Sequence, residues 1–159
     1  MDVRYINPFI ASTVNALRTM ASLEANRGSP FVKGTFQALA DVSGIIGMAG
    51  EVKGAVVLSF PFQLAKKIYE AMTGESVPVG DPGISDAVGE MANMVAGGAK
   101  AALTEMGVNF RISVPSVVVG REHTISHKSD APCLIIPFQL GSDTFWVQVS
   151  MKMTPGNGG

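Results

Sequence analysis

The sequence predicts an α+β domain: a largely antiparallel β-sheet with two long helices on one face, built as a helix-plus-strands unit repeated with pseudo-two-fold symmetry. Three observations carry this. Apolar residues recur at helical spacing near the N-terminus and again over residues 84–107. Short β-branched runs follow each of these stretches. Each half also holds an apolar hairpin, "GIIGMAGEVKGAVVLSF" in the first and "CLIIPFQLGSDTFWVQVSM" in the second.

Taken in order, Ile6, Phe9, Ile10, Val14, Leu17 and Met20 or Ala21 define an amphipathic helix over roughly residues 5–22, ended by the turn chemistry of "NRGSP" at 26–30. Strands are expected at "FVKGTFQAL" (31–39), "SGIIGMAG" (43–50) and "KGAVVLSF" (53–60), the last two joined tightly by "GEV". A helix follows at "PFQLAKKIYEAMTG" (61–74), where Pro61 suits the first turn and Gly74 the C-terminal cap. After the Pro- and Gly-dense loop 75–83 comes the helix 84–107, capped by Gly107. "NFRISVPSVVVG" (109–120), "HTISHK" (123–128), "CLIIPFQL" (133–140) and "TFWVQVSMKM" (144–153) read as strands. The expected organisation is one domain over residues 1–153 and a flexible tail at 154–159.

A chain of 159 residues can bury about 70% of its unfolded surface. Its net charge of −1 and pI near 6.1 argue against a broad phosphate-binding surface, so nucleic acid is not expected as a partner. Asp2, Arg4, Asn7 and Asn15 interrupt the N-terminal stretch, which lacks the apolar core of a signal peptide. No apolar run reaches the roughly 18 residues of a membrane span. Cys133 is the only cysteine, which excludes an internal disulfide and fits a reducing, cytoplasmic location.

The helix 84–107 contains a conflict. Its Ala, Met, Leu and Glu residues favour helix, yet Gly89, Gly97 and Gly98 each cost roughly 1 kcal/mol relative to Ala. At 100° per residue, Ile84, Val88, Met91, Val95, Ala99, Ala102 and Met106 form the core stripe. Asp86, Glu90, Asn93, Gly97 and Lys100 form the opposite strip. Gly97 leaves no side chain one turn beyond Asn93, so a partner backbone can come close there; Gly89 and Gly98 flank the strip or the core edge, and the sequence leaves open whether they serve a partner's approach or close packing against the sheet. A carboxamide cannot remove a proton near neutral pH. It can hold a water in line for attack on phosphorus, with the metal and charge compensation supplied by a phosphorylated partner. Glu90, one turn away, could bind a partner's lysine. Taken alone, Glu-x-x-Asn is also the pattern of a solvated helix face, and the clean apolar back, the glycines and "SVPSVVVGR" soon afterwards set this helix apart.

Other candidates are weaker. His123 and His127 would share a strand face but lack further ligands, so no metal site is expected. Cys133 has no base beside it in sequence and reads as a small core residue. Neither "GEVKG" nor "GESVPVGDPG" matches a phosphate-binding loop. Trp146, Gln148 and Ser150 alternate with Phe145, Val147 and Val149, and one of the two faces is a candidate subunit or partner surface.

The string "SDAVGEMANMVAGGAKAAL…VPSVVVGR" resembles the CheC/CheX/FliY phosphatases of bacterial chemotaxis, most closely the CheX branch. The family pattern is Asp or Ser, three residues, Glu, two residues, Asn, then Pro after a fixed interval. Asp86, Glu90 and Asn93 match it, and Pro115 falls one residue early. "INPFIASTVNAL", "KGAVVLSF" and the closing strand pair extend the resemblance over nearly the whole chain. CheC-like chains can carry the motif on both long helices; here the first helix offers only Ser12-x-x-Asn15, without the Glu, which implies a single active site and leaves Asn15 as a polar helix residue.

The resemblance implies a CheC-like fold and hydrolysis of the aspartyl phosphate on a CheY-like response regulator. Asn93 would orient the attacking water and Glu90 would pair with the regulator's active-site lysine. Asp86 and Gly97 would belong to the docking strip, and Pro115 would shape the strand entering the sheet. No cofactor is expected in this chain; Mg²⁺ would sit in the regulator. A homodimer formed through the sheets is also implied. The alternatives are a non-catalytic adaptor that binds a response regulator or signalling component, and a small-molecule-binding domain, which would need an enclosed pocket.

Overall fold

The computed structural model describes residues 2–32, 40–125 and 132–154. Helix α1 (Val3–Ala21) is followed by the short strands β1 (Asn26–Arg27) and β2 (Phe31–Val32). Next come the hairpin β3 (Ala40–Gly50) and β4 (Val52–Phe60), and then α2 (Phe62–Thr73) and α3 (Pro82–Glu105). The chain ends in β5 (Phe110–Ile112), β6 (Ser116–His123), β7 (Cys133–Leu140) and β8 (Asp143–Met153). The strands form one antiparallel sheet of order β1-β7-β8-β4-β3-β5, with β2 on β7 and β6 on β3.

The helix ends follow local chemistry. The Asp2 carboxylate accepts from the Arg4 backbone N–H at 2.9 Å and caps α1. Asp81 accepts from the Gly83 N–H at 2.9 Å and caps α3, with Pro82 opening that helix. At its far end, Gly107 takes φ +89°, and the Val108 N–H returns to the Leu103 carbonyl at 2.9 Å. The helix therefore stops before Met106, which is 44% exposed; Leu103 fills the core instead.

Strand alternation sorts the sheet into two faces. Val42, Ile46 and Met48 of β3, Val56, Leu58 and Phe60 of β4, Ile136 and Phe138 of β7, and Phe145, Val147 and Val149 of β8 join the three helices in one core. Phe145 stacks between Phe60 and Phe138, with centroids 4.9 and 5.1 Å away. On the other face Val57, Ile135, Gln148 and Ser150 are also buried. Trp146, on the same face, is half-buried.

Two strand expectations change. The run 109–120 is not one strand: Ser113–Pro115 interrupts it, because the Ser113 N–H bonds the Gly47 carbonyl at 2.9 Å while its hydroxyl accepts from the Gly47 N–H at 2.8 Å. Proline at 115 has no N–H to extend the ladder. Of the strand expected at 123–128, His123 closes β6, residues 124 and 125 are not in a strand, and 126–128 lie outside the described residues; His123 Nδ1 meets the Gly120 carbonyl and its Nε2 meets Ser43 Oγ, each at 2.7 Å. Residues 33–39 of the first expected strand, His127 and residues 155–159 lie outside the described residues. Thr154 is tied to the hairpin, its N–H to the Glu51 carbonyl and its hydroxyl to the Gly50 carbonyl, each at 2.9 Å.

Candidate functional site

The front of α3 carries the polar strip. Asp86 and Glu90 are exposed, Asn93 and Gly97 half-buried, and the reverse side is buried from Ile84 to Leu103. Among the described residues none bonds the Glu90 carboxylate or the Asn93 carboxamide. Both groups are held out on a fixed scaffold with their hydrogen-bonding capacity free.

Glycine is what fixes the scaffold. A Cβ at Gly44, on the core face of β3, would lie 2.9 Å from Ala92 Cβ and 3.0 Å from the Val88 carbonyl, so this glycine lets α3 rest directly on the sheet. At Gly89 a Cβ would lie 3.1 Å from Val117 Cγ2 and 3.7 Å from Pro115 Cβ, so Gly89 and Pro115 are matched surfaces. At Gly98 it would overlap Ser12 Oγ of α1. Gly98 therefore serves contact between the two helices, one use among those the sequence left open. Gly97 is different: nothing lies within 4 Å of where its Cβ would be.

Ser12 donates its hydroxyl hydrogen to the Val95 carbonyl at 2.7 Å, fastening α1 to α3 beside Asn93. That contact leaves an open groove of about 280 Å³ between the helices, lined on α1 by Asn15 and Thr19 and on α3 by Asn93, Met94 and Gly97. Sequence reasoning noticed Asn15 but not its neighbourhood with Asn93, and it missed Thr19 and Met94. Only the Ser12-x-x-Asn15 echo of Glu90-x-x-Asn93 hinted at it.

Cys133 is buried on β7. His123 has both ring nitrogens in hydrogen bonds. Among the described residues no three His, Cys, Asp or Glu side chains gather as a metal site, and no helix is long and apolar enough to cross a membrane. The hollows at Met48–Arg111 and Leu64–Asp143 are open to solvent.

Glu90 and Asn93 thus stand one turn apart on the open face of α3, their side chains without a hydrogen-bond partner among the described residues. The class of protein comes from comparison with known ones. The model of the chemotaxis phosphatase CheX family matches residues 42–139. The chain is 30% identical over 155 residues to the CheY-P phosphatase CheX of Thermotoga maritima, covering 96% of this chain and 98% of that one. It superposes on the chemotaxis protein CheX of Vibrio vulnificus with TM-score 0.89 at 40% identity, covering 93% and 99% of the two chains. It also matches CheX in the CheX–CheY–BeF3–Mg²⁺ complex of Borrelia burgdorferi, with TM-score 0.80 at 27% identity over 93% and 97%. The chain belongs to the CheX family of chemotaxis phosphatases, and it is a hydrolase of that class.

Proposed function

We propose that this phosphatase hydrolyses the aspartyl phosphate of a CheY-like response regulator, with Asn93 orienting the attacking water and Glu90 pairing with the regulator's active-site lysine. The observation that carries this reading is the free pair Glu90 and Asn93 on the exposed face of a helix pinned at Gly44, Gly89 and Gly98. The Thermotoga relative is a CheY-P phosphatase, and the Borrelia relative has been captured with CheY, BeF3 and Mg²⁺, which supports the same partner here.

In the reaction, the Asn93 carbonyl oxygen accepts a hydrogen bond from water and lines its oxygen up with phosphorus. The new O–P bond forms as the bond from phosphorus to the aspartyl oxygen breaks. The carboxylate is regenerated and both of the water's protons leave with inorganic phosphate, as H2PO4− or, after release of one to solvent, as HPO4²⁻. Mg²⁺ and the phosphoryl group arrive with the regulator. Asp86 and Gly97 frame the docking strip, Asp86 by charge and Gly97 by exposing backbone. On α1 the position that would hold a second Glu is Ser12, already spent on the Val95 carbonyl, which supports a single active site.

The reading includes a cytoplasmic homodimer joined through the sheets. In its support, β6 pairs only with β3 among the described strands and exposes Val118 and Val119.

The test is the decay of phosphorylated CheY-like regulators from the same genome, with Mg²⁺ and catalytic amounts of wild type or Asn93→Ala. Acceleration by wild type alone is expected. Equal acceleration by the variant would overturn the role of Asn93. Binding without acceleration by either protein would favour the adaptor.

A further inference from the structure

We infer that the groove between α1 and α3 is the second half of the docking surface, and that Asn15 and Thr19 of α1 determine which response regulator is accepted. This rests on the phosphatase reading and goes beyond it, because α1 lacks the motif and has no part in the chemistry proposed for Asn93.

Four features of the groove favour a particular occupant. It opens directly beside Asn93, which forms part of its lining, so it is continuous with the surface on which the phosphorylated partner would dock. Its described lining carries no charge: an amide at Asn15, a hydroxyl at Thr19, a thioether at Met94 and bare backbone at Gly97. Asn15 and Thr19 are exposed one turn apart on α1, with no side-chain partner among the described residues. Met94 is 41% exposed, a large apolar group that this chain leaves in water. Such a surface fits an uncharged loop of the regulator beside its phosphorylated aspartate, with small side chains passing over Gly97 and backbone N–H and C=O groups meeting Asn15 and Thr19. The two ion-pairing groups, Asp86 and Glu90, lie further along α3 toward its N-terminus. Charge would thus set register at one end of the footprint while shape and neutral hydrogen bonds select at the other.

The experiment compares wild type with Asn15→Arg, Thr19→Arg and the control Thr104→Arg, which adds the same charge to an exposed position of α3 away from the groove. Two readouts are taken with the same CheY-like regulator: steady-state dephosphorylation, and binding of its BeF3- and Mg²⁺-loaded form. Each groove variant should raise KM and the dissociation constant about tenfold or more, with kcat within roughly twofold of wild type and the control unchanged. Unchanged KM and binding in both groove variants would overturn this inference alone. A fall in kcat at unchanged KM would overturn it in favour of a catalytic role for α1. Wild type that neither binds nor dephosphorylates any such regulator would overturn the phosphatase reading together with it.

Discussion

Ser12 Oγ of α1 lies 2.7 Å from the Val95 carbonyl of α3, a bond between residues 83 positions apart that sits over the glycine at 98. The bond sets the helix spacing and hence the width of the groove beside Asn93. Ser12→Ala should cost about 1 kcal/mol. Gly98→Ala forces the hydroxyl away and brings a new methyl to 3.2 Å from Ser12 Cβ. A double-mutant cycle by urea denaturation should give a coupling of about 0.5–3 kcal/mol between the two sites. Strict additivity would mean the contact does not hold the helices.

Gly44 and Gly97 should respond oppositely to the same substitution. At Gly44 a methyl meets Ala92 Cβ and the Val88 carbonyl, and backbone cannot rotate away, so Gly44→Ala should lower stability by about 1–3 kcal/mol. At Gly97 the space is open, so Gly97→Ala should raise stability by up to about 1 kcal/mol through helix propensity. Thermal midpoints moving in the same direction would contradict this placement of α3.

Gly97→Gln separates fold from docking. It should match or exceed wild type in thermal stability while losing roughly tenfold or more in kcat/KM, because a side chain now stands where the partner's backbone passes. Full activity in a stable Gly97→Gln protein would remove Gly97 from the docking strip.

Asn93 and Glu90 should fail differently. Asn93→Ala should lower kcat by about a hundredfold or more, with little change in affinity for the BeF3-loaded regulator, since its amide acts on the water. Glu90→Ala should weaken binding by roughly tenfold and blunt the salt dependence of KM, as expected for loss of a charge that pairs across the interface. A Glu90→Ala enzyme with unchanged affinity and salt response would end the lysine-pairing role.

Light scattering over a range of concentrations should report a dimer, and Val118→Lys on the edge strand should shift it toward monomer. A wild-type protein that remains monomeric at every concentration would remove the homodimer from the proposal.

The sequence by itself determined the apolar face of α3 from Ile84 to Ala99, the opposite strip Asp86, Glu90, Asn93 and Gly97, and the antiparallel α+β architecture. These follow from local periods, 3.6 residues in a helix and two in a strand, that covalent geometry imposes on any chain. The break at Ser113–Pro115 was not legible, because it depends on Ser113 bonding Gly47 across the sheet. Nor were the separate fates of the glycines: Gly89 against Pro115, Gly98 against Ser12 and Gly97 against open space look alike in a string of letters. The groove joining Asn15 to Asn93 was decided only by the tertiary structure, for the same reason. How closely two helices approach depends on side chains brought together from opposite ends of the chain, and no local period records that distance.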